Sequence, residues 1–273
     1  DVVVAALGLT ARYEGEEGEN PENPSGDRAD LGLPPVQEHL LEALVATGKP
    51  VVLVLTAGGA LSVPWAAAHV PAILVAWYPG AEGGAALADV LFGAASPGGR
   101  LPVTVVRSAA DLPPFADYAM RGRTYRYLAR PPLWPFGRGL SYSTVRYSNL
   151  VVGPGDSTGS GRAIAVDLEN TRAHAADEVV EAYVSKPDAP AYAPRRWLAG
   201  FARVTLAPSE RRTVRLVLPA RALTLVDEGG RRAPLAGLVR VGVGGGQPDP
   251  EWRYEGGTGV TTEVQIESGA PRR

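Results

Sequence analysis

Short unbroken apolar runs alternating with helix-patterned stretches fill the first 106 residues, and few folds accept that order. Residues 2–9 (VVVAALGL), 51–56 (VVLVLT), 72–77 (AILVAW) and 101–106 (LPVTVV) are the runs. Between the first two, Pro34 and Pro35 open a helix with Val36, Leu40, Leu41, Leu44 and Val45 on one face, closed by Gly48. A short segment at 64–68 and a helix at 85–92 separate the others, which gives the order β-α-β-α-β-α-β. Strands that are apolar throughout need cover on both faces, so the pattern predicts a parallel sheet with right-handed helical crossovers. In such a sheet the loops that follow the strands share one edge, outside the strands' carboxyl ends, where ligands bind. Residues 10–30, 57–63 and 78–83 are therefore expected to converge there.

The pattern changes after Tyr147. Runs at 163–168, 179–184, 204–206, 214–218 and 238–243 are short, with turn residues at Asn170-Thr171, Ala207-Pro208-Ser209 and Glu228-Gly229-Gly230. This spacing predicts a β-sandwich of about seven strands. Residues 251–273 are polar and glycine-rich and are expected to form a loose tail. A length of 273 residues accommodates two domains, each with its own core. The expected division is 1–147, an α/β domain; 148–250, an all-β sandwich; and 251–273, the tail. Because Asp1 leads at once into a buried-type strand, the start of the chain reads as a cut through a domain. A net charge of -2 supplies no positive field for phosphate backbones or anionic lipid, which argues against nucleic acid as a partner. No apolar run reaches the length of a membrane span, so no membrane association is expected. The chain has no Cys, so it has neither disulfides nor thiolate sites, and the compartment stays open.

The loop after the first run holds Glu14, Glu16, Glu17, Glu19 and Glu22, followed by Gly26-Asp27-Arg28. Carboxylates crowded in this way raise one another's pKa, as an acid catalyst requires; a solvated acidic loop is the plainer reading of the same residues. The run lacks the alternating Asp/Asn oxygens around a central glycine that a calcium loop needs. Trp77 and Tyr78 end the third run at the same expected edge, where they either meet a ligand or belong to the core. Asp27 and Arg28 suit a loop-ordering ion pair. His39, His69 and His174 have no partner at metal-ligand spacing, so no metal is expected. The glycines of 242–246 follow a sandwich strand and open no helix, which rules against a phosphate loop. No Gly-X-Ser-X-Gly elbow follows any strand.

Several segments, in order, resemble family 3 glycoside hydrolases. They are Leu7-Gly8-Leu9-Thr10, Glu14-Gly15-Glu16-Glu17 with Gly26-Asp27-Arg28, Gly48-Lys49-Pro50-Val51-Val52-Leu53-Val54, Trp77-Tyr78-Pro79-Gly80 with Glu82-Gly83-Gly84, and Gly99-Arg100-Leu101-Pro102. Gly122-Arg123-Thr124-Tyr125-Arg126-Tyr127, Pro135-Phe136-Gly137 and Gly139-Leu140-Ser141-Tyr142 are similar to the segment leading into that family's fibronectin type III-like domain, and Asp177-Glu178-Val179-Val180 and Gly200-Phe201 continue the likeness. The resemblance implies an N-terminally truncated α/β sandwich domain with a parallel sheet, followed by an all-β fibronectin type III-like sandwich. It implies a retaining, exo-acting β-glucosidase or β-xylosidase that needs no cofactor and acts on an oligosaccharide or aryl β-glycoside. The nucleophile would be an Asp on a barrel domain and the acid/base Glu16, with Glu14 and Glu17 as alternatives; Trp77 and Tyr78 would meet substrate. Alone, the chain is expected to be inactive. This sequence has a longer stretch, Gly18-Glu19-Asn20-Pro21-Glu22, than the family pattern before Gly26-Asp27-Arg28. The alternative is a non-catalytic carbohydrate-binding or scaffold module built on the sandwich.

Overall fold

The computed structural model describes residues 1–15, 26, 28–155, 161–247 and 259–266. They divide into two compact units, one comprising residues 1–95 and 105–112, the other 96–104 and 113–273.

The first unit is built on three parallel strands, β1 (Val3–Gly8), β2 (Val51–Thr56) and β3 (Ala72–Val75), in the order β1-β2-β3. The helices are α1 (Ala11–Glu14), α2 (Pro35–Ala46), α3 (Pro64–His69) and α4 (Gly83–Leu91). In the central strand β2, Val51, Leu53, Val54 and Leu55 are all buried, as an unbroken apolar run requires. At the edge strand β1 only alternate residues are buried: Ala5 and Leu7 face the core, whereas Val4 is 52% exposed. The expectation of cover on both faces thus holds for β2 and not for β1 among the described residues. Pro35 occupies the first turn of α2, where a missing N–H costs nothing, and Gly48, at φ 75°, follows its last turn. The buried stripe of α2 is narrower than expected: Leu41 is buried, but Val36 and Leu40 are exposed. Gln37 on the same helix brackets the last peptide of β1, accepting from Gly8 N and donating to Gly8 O, both at 2.8 Å.

Residues 101–106 do not form the expected fourth strand. Leu101 exchanges hydrogen bonds with the 137–138 segment instead, and Pro102 has no N–H to continue a ladder. The carbonyls of Val106 and Arg107 accept from the Ser62 hydroxyl at 2.9 and 2.5 Å, which fixes that end of the segment to the loop after β2.

The second unit contains α5 (Thr124–Tyr127) and two antiparallel sheets. One sheet orders β4 (Val145–Gly155), β5 (Gly161–Asn170) and β8 (Arg211–Pro219) as β4-β5-β8. The other comprises β6 (Ala176–Ser185), β7 (Trp197–Leu206), β11 (Gly237–Gly244) and β12 (Gly259–Ile266), ordered β12-β11-β6-β7. A small hairpin joins β9 (Thr224–Val226) to β10 (Arg232–Pro234) across the expected turn at 228–230. The inward residues of the two sheets form one core, including Ile164, Val166, Val180, Val184, Leu218 and Val241. The two sheets together hold seven described strands. β12 lies inside the stretch expected to be a tail, which corrects that expectation for residues 259–266. Val260, Val264 and Ile266 alternate with polar residues and pack on the core, giving the segment a reason to pair.

Candidate active site

The described parts of the loops following β1, β2 and β3 meet at one edge of the parallel sheet. Leu9 prolongs β1 by one bond, its N–H donating to Thr56 O at 2.8 Å. The chain then winds through α1, where the N–H groups of Tyr13 and Glu14 both reach the Thr10 carbonyl, at 2.9 and 3.0 Å. Glu14 is thereby brought to the loop after β2. Its Oε1 accepts from Gly58 N at 2.8 Å and Gly59 N at 3.2 Å, and its Oε2 lies 3.8 Å from Arg28 Nε. Arg28 in turn donates from Nη2 to Ala60 O at 2.9 Å.

Tyr78 connects the third loop to the first. Ala76 N still bonds Leu55 O at 2.8 Å, but Trp77 adopts a left-handed φ of 56°, which ends the extended backbone. For a bulky residue that conformation costs roughly 1–3 kcal/mol and is held by its surroundings. Tyr78 follows and donates from its hydroxyl to Leu9 O at 3.1 Å. Its ring lies against Gly58: a Cβ there would stand 2.8 Å from Tyr78 Cε2, so the contact needs glycine. Burial, and then the neighbouring Glu14 charge, push the phenol pKa upward, so Tyr78 stays a neutral donor at ordinary pH. Part of the ring remains open to solvent, 49% of the residue being exposed.

Of the residues expected to carry chemistry, Glu16 and Glu17 lie outside the described residues, as does Asp27. Glu14 is described, and its carboxylate is taken up by two backbone N–H groups and a guanidinium. Arg28 pairs with Glu14, and the pair expected between Arg28 and Asp27 lies outside the described residues. His69 donates from Nδ1 to the Trp65 carbonyl, 2.8 Å away, and stacks on the Trp65 ring. Among the described residues no three His, Cys, Asp or Glu side chains gather as a metal site, and no helix is long and apolar enough to cross a membrane. The Glu14 clamp escaped the sequence reading because its partners are backbone amides 44 and 45 residues away. The one available signal was the Gly58-Gly59 pair directly after the central strand, where two unhindered N–H groups can face a single anion.

Comparison with known proteins finds relatives of the chain. Residues 1–142 match the family model described as the glycosyl hydrolase family 3 C-terminal domain, and residues 178–247 match the fibronectin type III-like domain. A beta-xylosidase of Formosa agariphila is 35% identical over 250 residues, covering 89% of this chain and 34% of that protein. A periplasmic beta-glucosidase of Salmonella typhimurium is 36% identical over 236 residues, covering 82% of this chain and 30% of that protein. The crystal structure of a family 3 beta-glucosidase from Bifidobacterium adolescentis superposes with a TM-score of 0.82 at 29% identity, over 98% of this chain and 39% of that one. A beta-glucosidase from Listeria innocua in complex with isofagomine superposes with a TM-score of 0.78 at 28% identity, over 98% of this chain and 37% of that one. The chain thus spans about a third of the length of these relatives.

Proposed function

Because this chain belongs to glycosyl hydrolase family 3, whose C-terminal domain model covers residues 1–142, we propose that it supplies the acid/base carboxylate of a retaining, exo-acting β-glycosidase. The substrates are terminal, non-reducing β-linked glucose or xylose units, in keeping with the beta-xylosidase and beta-glucosidase relatives. The supporting observation is the convergence of the three strand-end loops, with the start of the acidic turn tied at Glu14 to the rim where an α/β sheet binds ligands.

In this reading Glu16 is the acid/base and an Asp on a barrel domain of the same enzyme is the nucleophile. The Asp attacks the anomeric carbon as the glycosidic C–O bond breaks, and the Glu16 proton passes to the leaving oxygen. Water then attacks the glycosyl ester, Glu16 takes a proton from it, and the Asp carboxylate departs. The two carboxyl groups must stand about 5–5.5 Å apart for this retaining course. Trp77 and Tyr78 line the rim and offer aromatic faces to a sugar ring.

The test joins this chain to a barrel-bearing partner domain and follows release of 4-nitrophenol from β-glucoside and β-xyloside substrates. Glu16→Gln is expected to lower turnover by roughly 10²–10⁴-fold, with azide restoring part of it as a glycosyl azide. Undiminished turnover in that variant removes Glu16 from the role.

A further inference from the structure

The acidic loop begins in a clamp whose geometry differs from that of a proton donor. The chain is held at Leu9 by the Tyr78 hydroxyl and again at Glu14 by Gly58 N, Gly59 N and Arg28. Between the two ties runs a single turn closed on the Thr10 carbonyl. Oε1 of Glu14 accepts from both amides, and Oε2 faces the Arg28 guanidinium at 3.8 Å. To swing toward a leaving oxygen elsewhere on the rim, that carboxyl would have to leave the amide donors that hold its Oε1 at 2.8 and 3.2 Å.

We infer that Glu14, braced by Tyr78, is a positioning residue that fixes where the acidic turn leaves the sheet, and is not itself the acid/base. The inference rests on the reading of Glu16 as that group. Glu16 follows Glu14 by two residues, so its Cα lies no more than about 7 Å along the chain from an anchored point. A general acid displaced by about 1 Å loses on the order of 10²-fold in rate, so the anchor matters most where protonation matters most. Cleavage of a glycoside whose aglycone departs readily as an anion needs little help from the acid, whereas an alkoxide leaving group needs it fully. A misplaced acid therefore shows itself as a rate loss that depends on the leaving group. General loosening of the fold does not have that signature.

The experiment uses the same assembly and compares kcat/KM, which reports the steps through bond cleavage, for a β-linked disaccharide and a 2,4-dinitrophenyl β-glycoside. For Glu14→Gln we expect a loss of about 30–100-fold on the disaccharide, less than about 3-fold on the dinitrophenyl glycoside, and no glycosyl azide when azide is added. Equal losses on both substrates, or no loss on either, overturn the inference. Formation of glycosyl azide by Glu14→Gln also overturns it, because Glu14 would then be the acid/base. Glu16→Gln run in parallel separates the two ideas: if it retains full activity the acid/base reading fails, whatever Glu14 does. Should Glu14→Gln lose its native circular dichroism, Tyr78→Phe carries the test. Releasing the Leu9 carbonyl is expected to produce the same selectivity at about 3–10-fold, and a uniform response to both substrates counts against the clamp.

Discussion

Two carboxylates on β6 are buried in the second unit, and one of them shows how a charge is kept there. Glu178 Oε2 accepts from Arg100 Nη2 at 2.7 Å, and Oε1 accepts from the Tyr147 hydroxyl at 2.6 Å. Both side chains of the ion pair are almost fully enclosed, at 8% and 5% exposure. Arg100 spends its Nε on Gly245 O at 2.9 Å, and Gly245 has no alternative as a residue type, since a Cβ there would overlap the Glu178 carboxylate. Burial pushes the Glu178 pKa up while Arg100 and Tyr147 oppose it, and the Tyr147 phenol is pushed far upward by the same burial and by the Glu178 charge. Removing one partner leaves the other desolvated and uncompensated, which costs about 3–5 kcal/mol, whereas removing both can be nearly neutral. Arg100→Met should therefore lower stability in urea by roughly that amount, and Arg100→Met with Glu178→Leu should recover most of it. A double variant as unstable as the sum of the two single variants would show that the two side chains are not energetically coupled. The residues came to notice in the sequence only as part of the family-like Gly99-Arg100-Leu101-Pro102 and Asp177-Glu178-Val179-Val180 segments; nothing in either segment announced that they meet.

At the level of elements, β12 shows how weak a signal can still make a strand. Its eight residues pair along the whole of β11, from Gly259 opposite Gly244 to Ile266 opposite Gly237. Only Val260, Val264 and Ile266 contribute apolar contact to the core, and they are spaced by Thr, Glu and Gln. A charge at the middle position should undo the pairing: Val264→Asp is expected to cost about 1–3 kcal/mol, read as a lowered urea midpoint with unchanged slope. A midpoint within error of the parent would mean that β12 adds nothing to the sandwich. The same balance of signals explains what could be read beforehand. β1, α2 and β2 were legible because unbroken apolar runs and a proline-opened, glycine-closed helix admit few alternatives. The run at 101–106 was equally apolar, but Leu101 pairs with residues 137–138, a choice made by tertiary contact that periodicity does not encode. The loop edge was legible from topology alone, because parallel strands send their exits to one side. The division of labour there was not, because an acidic run looks alike whether its members are free or clamped.

For the whole molecule, the buried and the exposed carboxylates pull the pH dependence of stability in opposite directions. Asp177 is held below the ordinary range by its hydrogen bonds with Arg203 and Thr205, and Asp167 likewise by Thr213 and Asn149. Groups of this kind stabilise the native state above their unfolded pKa, near 3.8, and that stability is lost as pH falls through the lowered native value. Glu181 behaves in the opposite sense. Its carboxylate accepts from the Tyr183 hydroxyl at 2.6 Å, and burial raises its pKa above the ordinary 4.5 despite that bond and the Arg100 charge. The native state then binds more protons than the unfolded chain, so stability is complete below about 4.5 and declines as pH rises through the raised native value. Glu178 is shifted in the same direction, so the two act together. The curve of melting temperature against pH should accordingly peak on the mildly acidic side and fall toward neutrality. Glu181→Gln keeps the shape and an acceptor oxygen for Tyr183 but has no charge to desolvate, so its curve should fall less steeply above pH 5 and cross that of the parent. Parallel curves from pH 4 to 9 would mean that Glu181 ionises in the native state as easily as in water, and that the enclosure around β6 admits solvent.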